Sequence, residues 1–185
     1  GKVTKANSGT LKVKVDTSSA AVDGTSLNLT DANALTIDGA NALTLTQTQA
    51  NTLAGKVTKA NSGTLKVKVD TSSAAVDGTS LNLTDANALT IDGANALTLT
   101  QAQANTLAGK VTKANSGTLK VSINTSSGEV DGSSLNLSDV DAITIDGGNA
   151  LVVNQTSANA FAGSVTKANG GTLKVKVDTS SAAVD

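Results

Sequence analysis

The chain has no cysteine, methionine, proline, histidine, tryptophan, tyrosine or arginine, and Phe161 is its only aromatic residue. Each absence removes chemistry. Without histidine there is no Ser-His-Asp or Cys-His catalysis and no imidazole base. Without cysteine or histidine there is no conventional zinc, iron–sulfur or haem site. Without cysteine there is no disulfide, which fits any redox compartment and identifies none. No stretch approaches the length of apolar sequence, about 18 residues, that a membrane-spanning helix needs. Charge of either sign is also scarce in excess: 14 lysines stand against 15 acids, a net charge of −1. Such a chain exerts no bulk attraction on nucleic acid or an anionic membrane. The sequence starts at Gly1 without methionine or a signal-peptide pattern and stops in mid-pattern, so it reads as an excerpt from a longer protein.

What is present is repetition. GKVTKANSGT begins at Gly1, Gly55 and Gly109, and GSVTKANGGT begins at Gly163, a constant step without insertion or deletion. The organisation expected is therefore repeats at 1–54, 55–108 and 109–162, a partial repeat at 163–185, and one continuous stack. The second copy differs from the first only where Thr48 becomes Ala102, whereas the third differs from the second at 18 positions. Four of those changes fall on large aliphatics: Val69 to Ile123, Leu89 to Ile143, Leu99 to Val153 and Leu107 to Phe161. All four stay apolar, while polar positions drift more freely, as at Lys68 to Ser122 and Asp70 to Asn124. That pattern points to a scaffold constraint rather than to a catalytic site copied in each repeat.

Within a repeat the aliphatics come as pairs one residue apart, such as Leu11-x-Val13, Leu27-x-Leu29, Leu35-x-Ile37 and Leu43-x-Leu45. This is the two-residue period of a strand with one buried face, and no i, i+3, i+4, i+7 run indicates a helix. Turn formers separate the pairs: Ala-Asn at Ala6-Asn7, Ala32-Asn33, Ala40-Asn41 and Ala50-Asn51, and Asp-Gly at Asp23-Gly24 and Asp38-Gly39. Openings at Val22, Ile37 and Leu53 divide each repeat into three sub-repeats of unequal length, so one winding is expected to take a third of a repeat on average. The fold expected is all-β, a parallel β-solenoid (β-helix or β-roll) with about three windings per repeat. Stacked windings align equivalent aliphatics into rows, and small side chains fill a narrow interior without aromatics. The alternative is an antiparallel β-meander, with Leu35–Leu43 forming a hairpin. At 38% hydrophobic and 16% charged, the chain has enough apolar surface to fold rather than stay disordered.

Several side-chain patterns bear on function. Asp31, two residues before Asn33, Asp38, and the pair Asp139 and Asp141 are candidate calcium ligands, since stacked carboxylates at turns suit a hard cation. Neither a G-G-x-G-x-D nonapeptide nor an EF-hand loop is present. Carboxylates at turns also cap backbone N–H groups, which needs no metal. Lys2, Lys5, Lys12 and Lys14 share one sub-repeat, and the alternation with Leu11, Val13 and Val15 sends Lys12 and Lys14 to solvent. Without arginine this is a poor phosphate-binding stripe. Thr44 and Thr46 would supply one row of an ice-binding array, but Lys12 with Lys14 and Asn28 with Thr30 interrupt it. Asn28-Leu-Thr30, Asn82-Leu-Thr84 and Asn136-Leu-Ser138 match the N-glycosylation acceptor triplet. No base accompanies the many hydroxyls, so catalysis is not expected.

The run VDGTSLNLTDANALTIDGANALTLTQTQANTLAGKV resembles the Thr/Asn/Gly/Ala-rich tandem arrays of very large bacterial surface proteins: adhesin stalks, extracellular filaments and sheath-like matrices. The resemblance covers the whole chain and is compositional and periodic. It implies an extracellular or cell-surface location, a structural role as rod, stalk or fibre, and binding modules elsewhere in the protein. Self-association along or between rods, or contacts with the cell surface or matrix, are the partners it suggests. A self-assembling filament subunit and a calcium-stabilised adhesin module are the alternatives.

Overall fold

The computed structural model describes residues 9–133 and 135–178; Lys2, Lys5 and the Ala6-Asn7 corner lie outside them. In chain order the elements are β1 (Lys12–Asp16), β2 (Val22–Asp23), β3 (Ala34–Asp38), β4 (Ala42–Thr46), α1 (Gln47–Thr52), β5 (Val57–Ala60) and β6 (Thr64–Asp70). There follow β7 (Val76–Asp77), β8 (Ala88–Asp92), β9 (Ala96–Thr100), α2 (Gln101–Leu107), β10 (Val111–Ala114) and β11 (Thr118–Asn124). The last are β12 (Val130–Asp131), β13 (Ala142–Asp146), β14 (Ala150–Asn154), α3 (Gln155–Ala160), β15 (Val165–Ala168) and β16 (Thr172–Lys176).

Every strand pairing among the described residues is parallel. The chain forms a parallel β-solenoid, and the antiparallel meander is overturned. Leu35 and Leu43 do not face each other across a hairpin: β3 and β4 join different sheets. The sheets run β1-β3-β5, β2-β4-β6-β8-β10, β7-β9-β11-β13-β15 and β12-β14-β16. The chain divides into two compact units built from alternating segments. One takes residues up to Asp70 with Ser80–Gly93 and Lys110–Asn115, and holds the first two sheets. The other takes Thr71–Thr79, Ala94–Gly109 and the chain from Ser116, and holds the last two.

The winding is longer than a third of a repeat. One winding carries Lys12 to Ala34, Lys66 to Ala88 and Lys120 to Ala142. The step from Gly1 to Gly55 is not a multiple of the step from Lys12 to Ala34, so a repeat is not a whole number of windings. The seven-residue strands absorb the mismatch. Thr64–Lys68 of β6 pairs with Ala42–Thr46, while Lys66–Asp70 pairs with Ala88–Asp92, two residues further along. β11 does the same between β9 and β13.

This register makes rows of aliphatics. In the second sheet they are Val22–Leu43–Leu65 and Leu45–Val67–Leu89–Val111. The third sheet repeats them as Val76–Leu97–Leu119 and Leu99–Val121–Ile143–Val165. Leu43, Leu45, Val67, Leu89, Leu97, Leu99 and Val121 are fully buried, and Leu29 is 4% exposed, so the inward face is the one that the alternation indicates. Burial of each large aliphatic is worth roughly 1.5–3 kcal/mol. Alternate residues face out, as in the buried-exposed alternation of β6.

Among the described residues, three short helices depart from an all-β chain. Thr46 and Gln49, and Thr100 and Gln103, form reciprocal capping boxes that start α1 and α2. The Gln49 amide also donates to the carbonyls of Gly24 (2.9 Å) and Leu27 (2.6 Å), tying the helix to the preceding corner. In α3 Ser157 replaces the glutamine, and Asn154 alone caps the helix. Phe161 ends α3 and packs into a cluster with Val121, Ile145, Leu151 and Val153.

Positive φ recurs at several corners among the described residues, and two kinds of them are open to test. Gly39 has φ +133°, and a Cβ there would stand 2.2 Å from the Ser18 nitrogen. Asn61 and Ser62 both have positive φ, 51° and 67°, as do Asn115 and Ser116; the fourth repeat places Gly170 (φ 85°) where the others have serine. We expect Gly39→Ala to cost at least about 3 kcal/mol, from strain plus overlap with backbone. We expect Ser62→Gly to stabilise by about 0.5–1 kcal/mol through relief of left-handed strain. Urea unfolding of the two variants beside the parent measures both; equal midpoints for Gly39→Ala and the parent would contradict the corner geometry.

Candidate functional site

The polar chemistry is concentrated at the corners. Asn33 donates its N–H to the Leu11 carbonyl (2.8 Å), and its side-chain oxygen accepts from the Leu11 N–H (2.9 Å). Asn87 clamps Leu65 and Asp141 clamps Leu119 in the same two-way manner. The position requires an acceptor oxygen, and amide and carboxylate both supply one. Asp139 accepts from the Gly109 N–H (2.5 Å), as Asp85 does from Gly55 (2.7 Å). Asp38 accepts from Asn61 (2.6 Å) and pairs with the Lys14 ammonium at 2.5 Å. Asp31, the equivalent of Asp85, is exposed. Asp38, Asp139 and Asp141 thus act as acceptors for backbone or side-chain donors. The described residues contain no group of three or more Asp, Glu, His or Cys that could hold a metal ion.

The lysines and carboxylates meet across windings. Asp16 lies in register with Asp38, and Asp70 with Asp92, which puts two carboxylates on neighbouring strands. Lys14 and Lys68 reach over to Asp38 and Asp92, both at 2.5 Å. The hydrogen bond from Lys14, then that from Asn61, holds Asp38 below its ordinary value; Lys68 and then Asn115 do the same for Asp92. Lys14 and Lys68 are raised by the same bonds. In the third repeat the lysine becomes Ser122, and the first carboxylate becomes Asn124 beside Asp146. The two substitutions compensate, because loss of the lysine alone would leave an unscreened carboxylate pair.

These residues border a cleft that recurs with the repeat. In the first unit a cleft of about 350 Å³ is lined by Thr25, Thr46, Gln47, Thr48, Lys68 and Asp70. In the second a cleft of about 520 Å³ is lined by the equivalents Thr79, Thr100, Gln101, Ala102, Ser122 and Asn124, with Asn105 and Asp146. One is charged and the other, apart from Asp146, is neutral. Both offer hydroxyls and amides to hydrogen-bond a solute. Thr46 and Thr100 spend their hydroxyls on the capping boxes rather than on a flat outward array. Asn28, Asn82 and Asn136 of the glycosylation triplets are exposed, and each accepts from the N–H two residues on. No helix is long and apolar enough to cross a membrane among the described residues. No protein-family model, curated protein or solved structure matches the chain.

Sequence alone does not reveal the coupled lysine and carboxylates, because the alternation sends Lys14 and Asp38 outward without saying which windings are neighbours. We expect Lys68→Ser to lower the thermal midpoint at low salt, and Asp70→Asn in that background to restore it; a Lys68→Ser effect that persists unchanged in molar salt would contradict the charge account. A second expectation concerns pH. Asp16 is lowered chiefly by the Ser18 hydroxyl and N–H, Asp23, Asp77 and Asp131 by the N–H two residues on, and Asp38 and Asp92 as above. A lowered carboxylate stabilises fully above its ordinary value of 3.8 and loses that contribution as pH falls through its folded value. A raised lysine stabilises fully below 10.5 and loses its contribution as pH rises through its folded value. The thermal midpoint should form a plateau between these limits and fall on both sides, as a calorimetric pH series would record.

Proposed function

We propose that the chain is a structural repeat element of an extracellular stalk, fibre or sheath at a bacterial surface, and that it works by holding a fixed geometry rather than by catalysis. The observation that carries this reading is the unequal fate of core and cleft between repeats. The rows keep aliphatic side chains in register in every copy, while the cleft exchanges Lys68 and Asp70 for Ser122 and Asn124. A site selected for one ligand would hold its lining and let distant residues drift. Here the lining drifts and the scaffold stays. The compositional resemblance to surface arrays supports the location.

The test uses an antibody against this chain on intact cells. Immunogold labelling along surface projections is the expected result. Labelling confined to the cell interior would overturn the reading. The calcium-stabilised alternative is separated by titration of the protein with Ca²⁺ during thermal unfolding. The acceptor roles of Asp38, Asp139 and Asp141 lead us to expect a midpoint unchanged at millimolar Ca²⁺, and a rise of several degrees would favour the adhesin module.

A further inference from the structure

The corner bracketed by Gln49 and Gln103 is built differently in the third repeat. The Gln49 amide donates to the carbonyls of Gly24 (2.9 Å) and Leu27 (2.6 Å), and the Gln103 amide donates to that of Gly78 (3.0 Å). In the third repeat the carbonyls of Gly132 and Leu135 hold the equivalent places, but Ser157 stands where the glutamines were and carries no amide. The Gly132 carbonyl still accepts from the Leu135 N–H (3.2 Å), as Gly24 does from Leu27 (3.0 Å). Asn154 takes over the helix cap by accepting from the Ser157 N–H (2.8 Å).

A cleft of about 360 Å³ lies at this corner, walled by Leu135, Leu137, Val140 and Phe161 with Ser157 and Ala160. Its volume falls in the range of small-ligand pockets, roughly 300–1,000 Å³. Leu135 and Leu137 are unchanged from the second repeat, and all six of the other lining residues differ. The 18 changes over the whole repeat amount to one position in three, so change is concentrated here. Four of the six exchanges remove a hydrogen-bonding group or add carbon: Ala86 to Val140, Gln103 to Ser157, Thr106 to Ala160 and Leu107 to Phe161. Thr106 donates its hydroxyl to the Ala102 carbonyl (2.9 Å), a bond that Ala160 cannot make. Repacking that only repaired the loss of glutamine would close the corner. Instead Leu81 and Leu83 are 8% and 7% exposed, while their counterparts Leu135 and Leu137 are only half-buried.

We propose that this cleft binds a small molecule carrying a primary carboxamide on an apolar body. The carboxamide N–H groups donate to the Gly132 and Leu135 carbonyls, as a glutamine amide does in the earlier repeats, and the apolar body lies against Leu137, Val140 and Phe161. The inference goes beyond the structural role and is independent of where the protein resides.

The test titrates the protein with benzamide and follows the methyl signals of Leu135, Leu137 and Val140 by nuclear magnetic resonance. Two further probes separate the contributions. Acetophenone has nearly the same shape with a methyl group in place of the amide nitrogen, and acetamide has the amide without the ring. We expect benzamide to bind at least about tenfold more tightly than either, because one leaves the carbonyls unpaired and the other leaves the apolar wall wet. Ser157→Gln supplies the amide from the chain itself and should weaken benzamide binding at least about tenfold, with circular dichroism confirming that the variant folds. Equal affinity for benzamide and acetophenone, or for benzamide and acetamide, would overturn the proposal. So would undiminished binding to Ser157→Gln, or no shift of these methyls up to about 50 mM benzamide. If Ser157→Gln fails to fold, the three probes on the parent protein decide by themselves.

Discussion

Backbone pairing between parallel strands one winding apart is the constraint from which the rest follows. It fixes which side chains are neighbours, so Leu45, Val67 and Leu89 become one buried row although no two of them are close in sequence. Each row shares its burial among several windings, and none of these short strands could cover its aliphatic face alone. A five-residue strand with two inward aliphatics is a weak element in isolation. The narrow interior follows too. Leucine, valine and isoleucine fill it, and Phe161 is accommodated only at the end of α3.

The same pairing determines the polar design. Carboxylates fall in register at Asp16 with Asp38 and at Asp70 with Asp92, a repulsion that a lysine on the neighbouring strand relieves. Backbone groups that leave the ladder at a corner are taken up by Asn33, Asn87 and Asp141. Acidic residues that invite a metal reading from spacing alone find their donors within the fold, with Asp85 and Asp139 bound to the N–H groups of Gly55 and Gly109.

The alternation of Leu35 with Ile37 and of Leu43 with Leu45 makes the strands and their inward faces legible, and repetition makes parallel stacking the economical arrangement. The winding length is not legible. The three sub-repeats differ in length, and nothing local reveals that Thr64–Asp70 presents two edges offset by two residues. The helices are hidden because elements as short as Gln47–Thr52 show no apolar period; their signal is Thr46-x-x-Gln49, a capping box at the end of a strand. Left-handed corners are legible in kind but only partly in place. Asn61, Asn115 and Asn169 adopt positive φ, whereas Asn41 holds its corner by donating its amide to the Thr17 carbonyl.

The mismatch between winding and repeat has a genetic consequence. Each five-stranded sheet draws strands from three consecutive repeats, from Val22 to Ala114 and from Val76 to Ala168. A deletion or duplication of one whole repeat rejoins equivalent partners and leaves every pairing intact, wherever its endpoints fall. A change of one full winding would instead bring the wrong strand to the centre of a sheet. Unequal recombination between copies as alike as the first two can therefore lengthen or shorten such an array, but only in steps of one whole repeat.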